Sequence, residues 1–312
     1  MKKILTRIAA CLCAAALLPV FAAAQEEEAD TVYDPLPIDF SFGHVTPDEN
    51  YTESSYEDPT LSVRLEKIET DTGTWNVARV RITDASQLRT VVTRKGHTSK
   101  ISTMARAVHA VVAIGGEYFS SDEGGFIMRM GAVQQNRVTP YQTRDLLVVD
   151  ENGDFHILVR LRDAKVDGRS KSINPDFASQ LQALTEAHTL INVFDFGPAL
   201  IIDGEIQPMP ESYSFHLNAR EPRCAIGQVG PLEYVLVVVD AARDGKSGAT
   251  YEELAAFMAE QGCVQAYNLD GGNSALMVFH DTNYSDKSYN AERSVSDIIY
   301  FTTLVDYGLD GD

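Results

Sequence analysis

The segment Asn268-Leu269-Asp270-Gly271-Gly272-Asn273-Ser274 places an acid, two glycines and small polar side chains within seven positions. Glycines directly after a carboxylate remove side chains, so a ligand can approach the backbone. Their N–H groups can also form an anion-binding nest. A plain tight turn is the competing reading, because Asp-Gly is common in hairpins. Gly115-Gly116-Glu117-Tyr118-Phe119 follows the same logic: an apolar run, two glycines, an acid, then two aromatic rings. Glu117 can serve as an acid or a base, and Tyr118 or Phe119 can stack on a sugar ring; core aromatics after a glycine turn are the alternative. A third segment, Arg220-Glu221-Pro222-Arg223-Cys224, enters another apolar run. An arginine there can aim its planar fork at a phosphate, or make a surface ion pair. Arg243, Arg293 and His216 are weaker candidates, and no histidine stands at metal-ligand spacing. Nucleophile-elbow, His-Glu-x-x-His and Gly-Lys-Ser/Thr phosphate-loop patterns are absent.

These residues need elements to hold them. Tyr234 to Val239 is a continuous apolar run, as expected of a strand buried on both faces. Thr250 and Glu253 make a capping box, Leu254, Phe257 and Met258 form an apolar helix face, and Gly262 ends the helix. Val264 to Leu269 reads as the next strand. Strand, helix, strand at this spacing predicts a right-handed crossover between parallel strands. Asp240 and Asp270 then end their strands at one sheet edge, where α/β sheets bind ligands. Upstream, alternating runs at 61–65 and 75–82 predict half-buried strands with a turn at Asp71-Thr72-Gly73, and Asn152-Gly153 and Asp203-Gly204 mark hairpins. The expected class is α+β: a mixed β-sheet core with a parallel β-α-β unit near the C-terminus and flanking helices.

Residues 1–24 carry Lys2, Lys3 and Arg7, then an apolar stretch closing on Ala22-Ala23-Ala24. This is the pattern of a cleaved signal peptide, with a lipid-anchored N-terminus as the alternative. Residues 25–60 are rich in acids and proline without a sustained period and read as an acidic linker; residues 61–312 form the domain. Secretion or display at the cell surface follows. Cys224 and Cys263 are the cysteines left after the signal, and in an exported chain they can form one disulfide; two buried thiols are the alternative. The formal charge of −19 argues against bulk attraction to nucleic acid or an anionic membrane, so a phosphate must be met by local basic residues.

Five segments, in this order, resemble the phosphodiester glycosidase family: Ala113-Ile-Gly-Gly-Glu-Tyr-Phe119, Phe196-Gly-Pro-Ala-Leu200 with Asp203-Gly204, Pro222-Arg-Cys-Ala-Ile-Gly227, Val237-Val-Val-Asp240 and Asn268-Leu-Asp-Gly-Gly-Asn-Ser274. The family includes a lysosomal enzyme that uncovers mannose 6-phosphate and bacterial proteins linked to exopolysaccharide. The resemblance spans roughly residues 75–301. It implies hydrolysis of a sugar-1-phosphodiester on an extracellular glycan by cleavage at the anomeric carbon. Asp270 would be the nucleophile or the base, Glu117 the second carboxylate, and Arg223 the phosphate ligand, helped by Arg293. Asn268, Gly271, Gly272, Asn273, Ser274, Gly116 and Tyr118 would contact substrate, and Asp240 would orient neighbours. No cofactor is required, although Asp240, Asp270 and Asn268 offer oxygen donors to a divalent cation. A non-catalytic glycan-binding module on the same fold is the alternative function.

Overall fold

Val235, Val237 and Val239 pack on one face of their strand with Leu254, Ala255 and Met258 of the helix Tyr251–Glu260. Leu236 and Val238 pack on the other face, among the side chains of two further sheets. The unbroken apolar run therefore reports burial on both faces, as its composition predicted. A computed structural model of the chain describes residues 42–94, 96–118, 125–137, 144–163, 172–174, 176–210, 213, 218–242 and 246–310.

The largest sheet has eight strands in the order Ser55–Glu57, Leu61–Thr70, Gly73–Ile82, Glu233–Val239, Arg223–Gly230, Gln265–Leu269, Ala199–Ile202 and Glu205–Ile206. A five-stranded sheet runs Phe155–Leu158, Leu146–Asp150, Leu190–Phe194, Gly125–Arg129 and Ala132–Arg137. Another five-stranded sheet runs Thr282–Asn283, Met277–Phe279, Val112–Gly115, Asp297–Phe301 and Leu88–Val92. The sheets share a core that includes Val80, Leu236, Ile226, Leu147, Phe194, Ile114, Met277 and Phe301. Burying each such side chain contributes roughly 1.5–3 kcal/mol before chain entropy is charged against it. The helix Ile101–Ala107 covers the outer face of the last sheet through Ile101, Met104 and Ala105. No helix among the described residues is long and apolar enough to cross a membrane.

The expected α+β class, with its mixed sheet and parallel β-α-β unit, is corrected here: the described residues are mostly β-strand, with few helices. Every described ladder is antiparallel. Glu233–Val239 and Gln265–Leu269 are not neighbours, because Arg223–Gly230 lies between them: Cys224 pairs with Val238 on one side and Leu269 on the other. A strand antiparallel to both leaves its two flanks running the same way. Asp240 and Asp270 thus do end at one edge, by a route the crossover rule did not foresee. Two-face burial comes from layering and carries no information about strand direction.

Two further expectations change. Residues 42–60, assigned to the linker, belong to the fold: Ser55–Glu57 pairs with Leu61–Thr70, Tyr56 is fully buried, and the Asp58 carboxylate accepts bonds from Tyr56, Thr60, Leu61 and Thr303. Aromatic residues spaced through an acidic stretch supplied the burial that its charge concealed. The disulfide does not form either, as Cys224 and Cys263 are free, buried thiols. Cys224 points into the core shared by the sheets, whereas Cys263 packs under the helix, with its sulfur against Gly227 on the opposite face. A β-sheet separates them.

Candidate active site

Strand ends from the three large sheets meet at one place. Gly116 and Glu117 follow Val112–Gly115, Asp297 opens its strand, Arg129 closes Gly125–Arg129, Asp195 follows Leu190–Phe194, and Asp270 follows Gln265–Leu269. The Asp270 N–H donates to the Gly116 carbonyl at 3.1 Å, joining the turn of the largest sheet to that of another. The two glycine-acid segments, more than a hundred and fifty residues apart in sequence, are thus in direct contact.

Beneath this contact lies a buried ionic cluster. The Arg129 guanidinium sits 2.7 Å from Asp297 Oδ2 through Nε and 3.3 Å from Glu117 Oε2 through Nη2. It also donates to the Val193 carbonyl at 2.6 Å and lies over the Phe194 ring, 3.8 Å from its centre. Asp297 Oδ1 accepts the Glu117 N–H at 2.9 Å, and Glu117 Oε2 accepts the Asp195 N–H at 2.8 Å. Burial pushes both the Glu117 and Asp297 carboxyls up, against the pull of Arg129. The place of Gly116 has a steric cause: a β-carbon there would lie 2.5 Å from the Asp297 carboxylate.

Asp270 sits above this cluster and is only partly buried. Burial pushes its carboxyl up to about 6, with Asp297 adding to the shift; the Ser274 hydroxyl and the Arg293 and Arg144 guanidinium groups oppose it. The following glycines answer different needs. At Gly271 a β-carbon would meet the Pro222 carbonyl at 2.6 Å; Gly272 has open space but adopts φ +57°. Gly271, Gly272 and Asn273 are half-exposed, and Ser274 is buried. The nest reading fails in part: Gly272 N–H donates to Pro222 O at 2.9 Å and Ser274 N–H to Gly271 O at 3.0 Å, so neither amide faces an anion. Tyr118 is 40% exposed, and the exposed Arg293 lies 5.0 Å from its ring centre, forming a rim beside Asp270.

Arg223 takes a different place from the one its sequence position suggested. It is 3% exposed, donates to the carbonyls of Ala249 at 2.9 Å and Ala219 at 2.7 Å, and stacks on Tyr251 at 4.0 Å. Since Cys224 pairs with Leu269, Asp270 lies across the ladder from Arg223. Arg223 is therefore next to the site but turned into the helix side. Asn268 is on that side too, donating to Gly197 O at 2.8 Å and to the Tyr251 hydroxyl at 3.3 Å. Its Oδ1, like Glu117 Oε1, is buried with no hydrogen-bond partner among the described residues.

Asp240 belongs elsewhere. Its Oδ2 accepts from Asn76 at 2.7 Å and from the Asp286 N–H at 2.9 Å, on the sheet face opposite Asn268. The oxygen donors of Asp240, Asp270 and Asn268 thus do not converge on a shared cation site. Arg220 pairs with Glu253 of the helix cap. Phe119, His216 and Arg243 lie outside the described residues.

Sequence reasoning missed Asp297, Arg129, Arg144 and Asp195. A signal was present: Arg129 interrupts the apolar run Phe126 to Met130, and Asp195 stands between Phe194 and Phe196. A charge inside an apolar run must find a buried partner.

The phosphodiester glycosidase family model matches residues 108–302. The catalytic domain of zebrafish N-acetylglucosamine-1-phosphodiester alpha-N-acetylglucosaminidase, auto-inhibited by its pro-peptide, superposes with a TM-score of 0.58 at 17% identity, over 86% of this chain and 97% of that one. A hypothetical protein from Synechocystis gives 0.54 at 18% identity, over 77% and 62%. Both share the fold. The SPbeta prophage-derived uncharacterized protein YomE of Bacillus subtilis is 31% identical over 108 residues, which are 35% of this chain and 17% of that protein. The matched family region takes in the Gly116-Glu117 and Asp270-Gly271 turns, the Arg129–Asp297 pair and most of the strands that carry them, and the chain belongs to the phosphodiester glycosidase family.

Proposed function

We propose that the protein hydrolyses a sugar-1-phosphodiester by breaking the bond between the anomeric carbon and the bridging oxygen. The observation that carries this reading is Asp270: a partly exposed carboxylate, raised to about 6, on a glycine turn whose surroundings include two arginines. Arg293 at the rim and Arg144, both acting on the Asp270 carboxylate, are placed to receive the phosphodiester charge. This replaces Arg223, whose guanidinium is spent on backbone carbonyls. Tyr118, 40% exposed, offers its ring to the sugar.

The chemistry then needs little acid help. The leaving group is a phosphate monoester with a second pKa of about 6, so it departs without the full protonation an alkoxide requires. Asp270 in its ionised form delivers the attack on the anomeric carbon, directly or by taking a proton from water, through an oxocarbenium-like state. Water supplies the oxygen of the free sugar, and the bond electrons leave with the phosphate. Glu117 and Asp297 act from below, gripping Arg129 and thereby fixing Gly116 and the turn it supports. The signal-peptide pattern read in residues 1–24 fits action on glycans outside the cytoplasm or at the cell surface.

Hydrolysis of a UDP-sugar or a synthetic sugar-1-phosphodiester in ¹⁸O-water tests the proposal. The label is expected in the sugar, with none in the phosphate. Label in the phosphate would mean cleavage on the phosphorus side. Saturable binding of the diester with no turnover would point to a glycan-binding module.

A further inference from the structure

Away from the active site, Asp150, His156 and His188 bring three metal-ligating atoms within 4.8 Å of one another. His156 Nε2 and His188 Nδ1 each lie 3.0 Å from the same atom, Asp150 Oδ2. The two imidazole rings are 4.8 Å apart, centre to centre. We propose that this trio is a binding site for a divalent transition-metal cation of the zinc type.

The donor set is the first argument. Two imidazole nitrogens and one carboxylate oxygen suit zinc, which takes such ligands at about 2.0–2.2 Å in a tetrahedral arrangement. That geometry sets ligand atoms roughly 3.3 Å apart, close to the spacing of Asp150 Oδ2 from either ring. The second argument is the support behind the carboxylate. Asp150 Oδ1 accepts the backbone N–H groups of Asn152 at 2.8 Å and Asp154 at 3.0 Å, both in the hairpin turn. One oxygen is thus anchored and the other aimed at the two histidines, as a metal-bound carboxylate needs. Access is the third. The Asp150 side chain is fully buried, while His156 and His188 are 27% and 29% exposed, which leaves an open side for water as fourth ligand. Glu151 stands nearby, its Oε2 at 4.0 Å from His188 Nδ1, but that oxygen already accepts the Thr189 N–H.

The position suggests what the cation does. Asp150 ends the strand Leu146–Asp150, His156 lies in the next strand, and His188 caps the helix Phe177–Ala187. A metal there ties the hairpin to the helix end that leads into Leu190–Phe194. Asp145 and Asp195 sit at the far ends of those same two strands, so the metal would brace the sheet that supplies Arg129 and Asp195 to the active-site floor. The competing arrangement is a metal-free one, with Asp150 simply accepting an N–H from each imidazole.

The untagged full chain, stripped with chelator, should take up one equivalent of cobalt(II) and show the intense visible bands of a tetrahedral site. Zinc at ~100-fold excess over Kd should raise Tm by about 5 °C or more. His156→Gln and His188→Gln should each remove both effects, while His44→Gln, in a separate cluster of His44, Asp306 and Asp310, should leave them intact. Folded wild-type protein that gives no tetrahedral cobalt spectrum and no zinc-dependent Tm shift overturns the proposal, whether or not the variants fold. Folded variants that keep the wild-type response overturn it as well.

Discussion

Asp240 and Asp270 end two strands that run the same way, and burial pushes both carboxyls up to about 6. Their surroundings nonetheless differ in kind. Asp240 is 7% exposed and held by Asn76 and the Asp286 backbone, with Lys67 as the cation that offsets its shift. Asp270 stands partly open on a glycine turn, with Arg293 and Arg144 in its field and an ionic floor beneath it. A raised carboxylate is thus not by itself a mark of chemistry. Access to the surface and arginines at the rim distinguish the reactive acid from the structural one.

Breaking Asp270 should produce the largest effect. Asp270→Asn is expected to lower kcat by about 10³-fold or more, since it removes the attacking group or base. Tm at neutral pH should not fall. Steady-state hydrolysis of a sugar-1-phosphodiester, alongside a thermal melt, checks both parts. A variant with near wild-type turnover would remove Asp270 from the mechanism. Next comes the floor. Arg129→Met leaves Glu117 and Asp297 buried without their cation and should cost about 3–5 kcal/mol in urea unfolding. Arg293→Ala comes third: KM should rise about 10-fold with kcat changed less, because an exposed arginine aids ground-state and transition-state binding alike.

The sequence revealed the pieces of this site more readily than their assembly. Glycines after Asp270 and before Glu117 were visible as places where side chains are excluded, and the structure gives each a steric or conformational cause. The Thr250–Glu253 capping box and the turns at Asp71-Thr72, Asn152-Gly153 and Asp203-Gly204 were local signals and formed as read. Long-range choices were not legible. Antiparallel insertion of Arg223–Gly230 between two codirectional strands leaves no trace in their apolar pattern. Arg223 was read ahead of Arg293 as the phosphate ligand, yet Arg223 is packed on Tyr251 and Arg293 is the exposed one. His156 and His188 join Asp150 only because a hairpin and a helix end meet, a spacing that no short motif encodes.

The smallest expected effect concerns Asp240 and sharpens the contrast most. Both hydrogen bonds to its carboxylate end on Oδ2, and Oδ1 has no partner among the described residues. An asparagine amide can keep the carbonyl where Oδ2 stands and lose neither bond. Because the folded pKa lies above the usual carboxylate value, the native state holds a proton that the unfolded chain releases first. The stability linked to that proton is complete below about pH 4 and is lost as pH rises through about 6. Asp240→Asn should therefore raise unfolding free energy by about 1–2 kcal/mol at pH 8 and change it little at pH 4. Its turnover should stay within about twofold of wild type, since nothing links its carboxylate to substrate. Urea melts at the two pH values measure the first claim, and the diester assay the second. A large loss of kcat with stability intact would move Asp240 into the active site and dissolve the distinction between the two acids.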